Sequence, residues 1–218
     1  MPITVEGGIS IGGGINIAVV QGNADPNLNT GTDVNWTNGT IFDTWTSSSS
    51  TTTDGTNSVV TVWQMFYAHA SLKLTSGKAG LRIGTHTNGT NSWTWGYAVS
   101  SADNTQSSFG SVTNIGSQST SYVSGGTYTA NYSTNITIPA NRYFLIGRRV
   151  GPFYYAARTL NQNRTAVIGS TRYVTVINKI WRGGSTDSFS IPSQLGGAGT
   201  YTETSNLSQV AGFLFDIV

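Results

Sequence analysis

The sequence has 218 residues, which is enough for one large domain or for a domain with an extension. Only 9 % of them are charged, against about a quarter in a typical protein. The net charge of +2 lacks the strongly basic bias of most nucleic-acid-binding proteins, so we expect no nucleic-acid partner. The chain has no cysteine, which excludes disulfides and thiol chemistry. No apolar run is long enough to cross a bilayer, and we expect no membrane insertion.

The first twenty residues carry a six-residue repeat. Its units read ITVEGG, ISIGGG and INIAVV, and their leading apolar residues all fall on odd positions: Ile3, Val5, Ile9, Ile11, Ile15 and Ile17. Alternate side chains of an extended chain lie on one face, so this row would form an apolar stripe. A lone arm cannot bury it. We therefore predict that residues 1–20 form an assembly arm, which lies against its own body, a neighbour or copies of itself. The period also fits three arms wound into one triangular β-structure, which favours a homotrimer.

Residues 21–58 are rich in Asn, Thr and Gly and are predicted to be a polar linker with a hairpin. The hairpin signal is Asn38-Gly39, which separates two short apolar pieces, Val34–Trp36 and Ile41–Trp45. The stretch Ser47–Thr53 consists only of Ser and Thr, a composition typical of a loop.

Residues 59–218 show strand patterns throughout. Val59–Ala70 is almost continuously apolar and rich in β-branched and aromatic residues, which favours a strand buried on both faces. Tyr128–Ile138 alternates apolar and polar residues, and Gly169-Ser170 fits a two-residue hairpin turn. Another alternating set is predicted to share one face and to lie in the core: Trp93, Trp95, Tyr97 and Val99. By contrast, Ala102–Gln118 is polar and is predicted to be a loop.

About ten such strands, short turns and no convincing amphipathic helix predict an all-β fold. The expected architecture is an antiparallel β-sandwich or jelly roll, residues 59–218, with an extended N-terminal arm. The chain has few charges with which to protect the edges of its sheets, so we expect neighbouring chains to cover some of them.

Charge is distributed unevenly along the chain. Residues 1–72 contain five acids and no Lys or Arg, whereas residues 141–186 contain eight cations and no acid. This basic block, 141–186, could bind an anion or steer contacts between subunits. Alternatively, neighbouring strands neutralise one another through salt bridges within the fold.

Residues suited to catalysis are scarce, since the chain has only two His and two Glu. His69 lies between two alanines in a buried-looking run and suits a hydrogen-bonded core residue, and His86 precedes a turn. The sequence has no G-x-S-x-G elbow, no cluster of metal ligands and no phosphate-binding loop. We predict a non-enzymatic protein without cofactor or metal.

Aromatic residues are the other candidates for a binding site, with six Trp and ten Tyr in the chain. Sugar rings dock on exposed aromatic faces, while neighbouring polar side chains supply hydrogen bonds. Six residues are candidate glycan or interface contacts: Trp36, Trp45, Tyr154, Tyr155, Arg148 and Arg149.

The opening VEGGISIGGGINI, the charge-poor Thr/Asn/Ser/Gly composition and the terminal apolar strand Phe213–Val218 resemble small virion proteins of tailed phages, particularly marine cyanophage-type structural proteins. This resemblance implies a non-enzymatic β-sandwich on the tail, fibre or capsid of a virion, present in symmetric copies and docked through an extended arm. Its partners would be copies of itself, other virion proteins and host surface glycans. The alternative functions are a glycan-binding adhesin or receptor-binding tip protein and, third, a polysaccharide-degrading enzyme.

Overall fold

The computed structural model describes residues 25–43, 51–54, 60–82, 89–122, 127–150, 155–159, 162–183, 189–205, 207–208 and 212–218. The predicted assembly arm, 1–20, lies outside these residues. The described residues form fifteen β-strands and one turn of 3-10 helix, Ser193–Leu195. The strands are β1 (Thr32–Asn35), β2 (Ile41–Asp43), β3 (Thr51–Asp54), β4 (Val60–Ala68), β5 (Leu72–Arg82), β6 (Gly89–Val99), β7 (Thr113–Tyr122), β8 (Thr127–Ile138), β9 (Arg142–Val150), β10 (Tyr155–Thr159), β11 (Arg164–Ile168), β12 (Thr171–Gly183), β13 (Thr202–Ser205), β14 (Leu207–Ser208) and β15 (Gly212–Ile217).

The strands form three sheets. The large sheet has the order β1-β11-β12-β4-β9-β6-β7, with β13 also paired to β12. The small sheet has the order β2-β15-β5-β8, and β14-β10-β3 form a third sheet. Neighbouring strands are antiparallel except β1 and β11, which run parallel. The large and small sheets share one hydrophobic core, in which Phe66 of β4 meets Phe213 of β15 edge to face at 5.0 Å. The predicted all-β antiparallel sandwich is therefore confirmed.

Strand β4 lies at the centre of the large sheet, between β12 and β9, and all nine of its residues are buried. Its side chains alternate between two separate cores. Val62 and Phe66 face the small sheet, whereas Trp63, Met65 and Tyr67 belong to a second cluster on the opposite face. A strand covered on both sides needs apolar residues at both parities, which explains the unbroken apolar run and confirms its prediction as a doubly buried strand.

Among the described residues, loops cover the opposite face of the large sheet. The segments 25–30, 101–112 and 189–201 place apolar side chains on it: Leu28, Phe109, Val112, Phe189, Ile191, Leu195 and Tyr201. The best-defined contact is a stack of Phe189 on Trp63 at 4.8 Å. The predicted loop Ala102–Gln118 is correct only as far as residue 112, because β7 begins at Thr113.

Three predictions for residues 21–58 are wrong for the part that the structure describes. The predicted loop Ser47–Thr53 includes the start of β3, which pairs with β10. Asn38-Gly39 does form a turn, closed by a 3.1 Å bond from Thr40 N to Thr37 O. The strands on either side do not form a hairpin, because β1 pairs with β11 and β2 pairs with β15. Residues 25–43 are therefore part of the sandwich and not a linker. The physical reason is burial of Trp36 and Phe42, whose aromatic rings enter the main core.

Other local predictions are confirmed. Gly169 adopts φ +61° in the two-residue turn between β11 and β12, a conformation that glycine reaches without strain. In β8, Tyr132 and Ile138 are buried while Asn131, Ser133 and the other odd-numbered residues to 137 are exposed, as the alternation predicts. The predicted core set on β6 also holds, since Trp93 and Trp95 are buried and Tyr97 and Val99 pack against the same cluster.

Candidate functional site

A cleft of about 420 Å³ lies where the edges of the two main sheets meet. One wall comes from β7, the last strand of the large sheet, and the other from β8, the last strand of the small sheet. Its lining is a short set: Trp95, Ile115, Gly116, Ser117, Gln118, Asn131, Tyr132 and Ser133. The two walls are joined by a 2.7 Å hydrogen bond from Asn131 N to Gln118 Oε1. We call this site the edge cleft.

A β-bulge shapes the β7 wall. Trp95 is paired with Gly116 and Gly96 with Asn114, so Ile115 is an extra residue in β7. Gly116 has φ +142°, a backbone conformation that side chains disfavour, and its N–H donates to Asn114 Oδ1 at 2.8 Å. Bulges re-aim side chains at sheet edges. Here the bulge turns Ile115 toward the core and leaves Ser117 and Gln118 along the cleft.

Two aromatic residues from different sheets meet inside the edge cleft. Trp95 of β6 and Tyr132 of β8 have ring centroids 4.8 Å apart at an interplanar angle of 44°. The Tyr132 ring lies over Gly77 of β5, where any Cβ would overlap with it, so glycine at this position makes the approach possible. The contact joins the large sheet to the small sheet at the bottom of the edge cleft.

Both aromatic residues carry a buried polar atom that no hydrogen bond satisfies within the described part of the chain. These atoms are Trp95 Nε1 and Tyr132 Oη. A buried polar group without a partner costs about 1–3 kcal/mol, and the indole nitrogens of Trp63 and Trp181, away from the cleft, are in the same state. Burial also raises the pKa of Tyr132, which keeps its hydroxyl protonated and neutral across the physiological range.

The edge cleft is polar but uncharged. Its walls offer hydroxyl groups from Ser117 and Ser133 and amides from Gln118 and Asn131, which can both donate and accept hydrogen bonds. No Asp, Glu, Lys, Arg or His belongs to the lining that the structure describes. The described lining therefore offers uncharged hydrogen-bonding groups above two buried aromatic rings.

Of the aromatic residues predicted as contacts, Trp36 is the one whose side chain is described, and it is buried at 6 % exposure. Its ring stacks on Phe215 at 4.0 Å, and its Nε1 donates to Thr40 O at 3.0 Å. In this position the indole face is not open to a sugar ring. Trp45 and Tyr154 lie outside the described residues. For Tyr155 the structure describes the backbone, which pairs with Asp54 of β3.

The two predicted arginines do not form one surface. Arg148 is 1 % exposed, and its guanidinium lies 5.1 Å from the centroid of the Trp93 ring, a cation–π contact. Arg149 is half-buried and follows it in β9, and successive strand residues point to opposite faces. Burial of Arg148 beside an aromatic ring was not evident from the sequence, because arginine is most often exposed.

Salt bridges account for three cations of the basic block 141–186. Arg142 binds Asp103 at 2.8 Å, and Lys179 binds Glu203 at 2.9 Å. Arg172 contacts both carboxylate oxygens of Asp33, at 3.1 and 3.2 Å, and so connects the block to the acidic N-terminal part of the chain. For these residues the interpretation as salt bridges within the fold is confirmed.

His69 is a core residue, as predicted. It is 3 % exposed, and its Nε2 lies 2.8 Å from Thr175 Oγ1. Burial, together with the positive charge of Arg172, lowers the pKa of His69 to about 4. An imidazole with this pKa is neutral at pH 7 and is enclosed by the fold. His86 lies outside the described residues.

A part-buried network of side-chain hydrogen bonds joins the loops that cover the large sheet. Tyr67 donates to Asn104 Oδ1 at 2.6 Å, and Tyr143 donates to Asp25 Oδ2 at 2.8 Å. Gln106 donates to the Tyr143 hydroxyl at 2.9 Å. Burial, followed by contacts with Asp25, raises the pKa of Tyr143. Each of these polar groups has a partner, so the network holds loops in place.

The described residues show neither a metal-binding cluster nor a membrane-spanning helix. Side chains of His, Asp and Glu do not gather there in groups of three, the number that would suggest a metal site. Nor does that part of the chain contain a helix of the length and hydropathy needed to span a membrane. Comparison with known proteins matches the chain to no family model and to no curated protein.

Sequence reasoning identified Trp95 and Tyr132 as inward-facing residues but not as parts of a cleft. The information that it lacked is long-range. The two residues lie in different sheets, and their meeting depends on which strands end at the same side of the sandwich. The bulge at Ile115 was also hidden, because polar edge strands carry little hydrophobic pattern.

Proposed function

We propose that this protein is a non-enzymatic structural component of a phage virion, of the tail or fibre appendage or capsid decoration type. It assembles through the N-terminal arm, residues 1–20, into homo-oligomers and onto other virion proteins. The resemblance of the Gly/Ile repeat and of the composition to small virion proteins suggests the particle. The distribution of apolar surface supports the mechanism of assembly.

The observation that carries this proposal is the near absence of exposed large apolar side chains on the described part of the sandwich. Among the described residues, only Ile41 and Val218 are large hydrophobic residues that are exposed. Stable homo-oligomeric interfaces bury an apolar centre, and two scattered side chains do not provide one. The aliphatic row of the arm therefore offers more apolar contact area than the exposed side chains of the described sandwich.

The energetics favour an arm that gains a partner. Burial of an aliphatic side chain contributes roughly 1.5–3 kcal/mol, so six contribute about 9–18 kcal/mol before costs. Ordering the arm opposes this gain at roughly 1–2 kcal/mol per residue, so burial of the six side chains alone does not hold the arm in place. Backbone hydrogen bonds to a partner strand decide the balance. The alternating pattern allows backbone pairing and side-chain burial together, because an extended arm can hydrogen-bond to a partner strand while the apolar face of the arm is buried.

The test is the oligomeric state of the full chain and of a variant that lacks residues 2–20. Sedimentation velocity should give a homotrimer for the full chain and a folded monomer for the truncated variant. A finer comparison uses two single changes on opposite faces of the arm. Ile11→Asn should weaken assembly strongly, whereas Ser10→Asn should leave it intact. Normal assembly by the truncated variant, or equal effects of the two single changes, would contradict the proposal.

A further inference from the structure

The residues that the structure shows lining the edge cleft all belong to the sandwich. The cleft volume of about 420 Å³ lies within the range of roughly 300–1,000 Å³ that is typical of small-molecule sites. It therefore provides space for a ligand of one or two sugar rings at a place separate from the residues predicted from the sequence.

The lining selects the charge of the ligand. Serine hydroxyls and the amides of Gln118 and Asn131 line the walls, and the described lining has no charged side chain. A charged ligand would lose hydration on entering and would gain no ion pair in return. A neutral ligand rich in hydroxyl groups matches the walls, because each hydroxyl both donates and accepts hydrogen bonds.

The buried floor points to the same class of ligand. Trp95 Nε1 can only donate, and Tyr132 Oη can donate and accept, yet neither has a partner within the described residues. The two rings are 1 % and 5 % exposed, so they close the bottom of the cleft and offer no open face on which a sugar ring could stack. A ligand hydroxyl that reaches the bottom of the cleft would give these two atoms the hydrogen-bond partner that they lack.

We propose that the edge cleft binds one unit of a neutral saccharide, with Tyr132 and Trp95 at its floor and Gln118 and Asn131 on its walls. This inference goes beyond assembly through the arm and is independent of it. It provides a concrete site for the alternative function considered above, recognition of a surface glycan.

The first measurement is binding of the full-length protein to a panel of neutral oligosaccharides, with sialylated and sulfated oligosaccharides of the same cores as charged counterparts. Titration calorimetry with each neutral sugar that binds then gives the dissociation constant. We expect binding to neutral sugars and weaker binding to their charged counterparts. Absence of binding across the neutral panel, or a preference for the charged sugars, would overturn the inference.

Two pairs of variants locate the site. Tyr132→Phe removes only the hydroxyl and should raise the dissociation constant about tenfold, the effect of losing one good hydrogen bond. Its stability should be unchanged or greater, because that hydroxyl has no partner in the described fold. The matched control is Tyr97→Phe, which removes a hydroxyl outside the cleft lining and should bind like the wild type.

The second pair fills the cleft. Ser117→Trp adds a large side chain at an exposed cleft position and should abolish binding, whereas Ser119→Trp, two residues farther along β7, should not. Sedimentation velocity on the same variants separates this inference from the arm. Sugar binding that survives both Tyr132→Phe and Ser117→Trp would refute the site. If Ser117→Trp instead abolished assembly, the cleft would be an assembly contact and the saccharide inference would be wrong.

Discussion

Acid should destabilise the protein through one buried residue, His69. Its Nε2 contacts Thr175 Oγ1, which lies 2.6 Å from Thr165 Oγ1, and Thr165 donates to Thr30 O at 2.7 Å. A carbonyl only accepts, so the Thr165 proton goes to Thr30 and the Thr175 proton goes to Thr165. Thr175 must then accept from His69. This order fixes neutral His69 with its proton on Nε2, and a second proton has to be added at Nδ1.

The magnitude follows from the difference in pKa between the folded and unfolded chains. Burial, and next the charge of Arg172, lowers the pKa of His69 from 6.5 to about 4, while the Asp33 carboxylate acts in the opposite direction. Between these values the unfolded chain binds more protons than the folded chain, so the free energy of unfolding falls as the pH falls. At about 1.36 kcal/mol per pH unit, the total loss is about 3 kcal/mol.

Urea unfolding followed by tryptophan fluorescence, at about pH 7 and at about pH 4, measures this loss. Carboxylates also titrate in this range, so the informative quantity is a difference between variants. The free energy that the wild type loses on acidification should exceed the loss in His69→Gln by about 3 kcal/mol. His86→Gln, a change at the chain's only other histidine, should behave like the wild type. An equal acid loss in wild type and His69→Gln, or a measured pKa of His69 near 6.5, would refute the reasoning.

Three further predictions concern packing and charge. Gly147→Ala should lower the free energy of unfolding by at least about 2 kcal/mol, since its Cβ would overlap with the Trp63 ring; an unchanged denaturation midpoint would contradict this. Trp36→Ala should cost about 3–5 kcal/mol in chemical denaturation, because the ring is buried in the main core; a loss below 1 kcal/mol would show that the ring is peripheral. Arg172→Ala should cost less than about 1 kcal/mol, and the cost should shrink at high salt, because the pair with Asp33 is half exposed. A larger, salt-independent cost would contradict a surface pair.

Those strands with a strong hydrophobic pattern could be predicted from the sequence. The segment that forms β4 is apolar at odd and at even positions because both faces of the large sheet are covered. An apolar run of this kind can be recognised in the sequence. Strand β7 escaped prediction because it is an edge strand with mostly exposed, polar side chains. The hairpin at Asn38-Gly39 failed for a different reason. Turn chemistry specifies a reversal of the chain, but the pairing of the flanking strands depends on partners more than a hundred residues away.

The candidate site was harder to predict than the fold. Trp36 lies in a polar stretch of the sequence, which predicted an exposed ring. In the structure its ring is buried in the core of the sandwich. Arg148 suggested a surface cation, but Trp93 offers its guanidinium a π-face inside the protein. The edge cleft depends on two sheet edges meeting and on a bulge of one residue at Ile115. None of these has a local signature, since each is a consequence of sheet order.

Assembly and stability of the sandwich should respond differently to acid. The arm contains no histidine, the side chain whose ordinary pKa of about 6.5 falls near this range, so its apolar contacts should not change between about pH 6.5 and 5. In urea just below the unfolding midpoint, acid will unfold the wild-type sandwich over this range before that of His69→Gln. If the arms bind one another, as in the proposed trimer, the wild type and His69→Gln should each remain oligomeric down to the same pH. Arms that bind a neighbouring sandwich lose their partner surface when it unfolds. Sedimentation velocity should therefore show that the wild type and His69→Gln dissociate at the same pH. If the wild type dissociates at a higher pH than His69→Gln, the arm binds a neighbouring sandwich and not other arms.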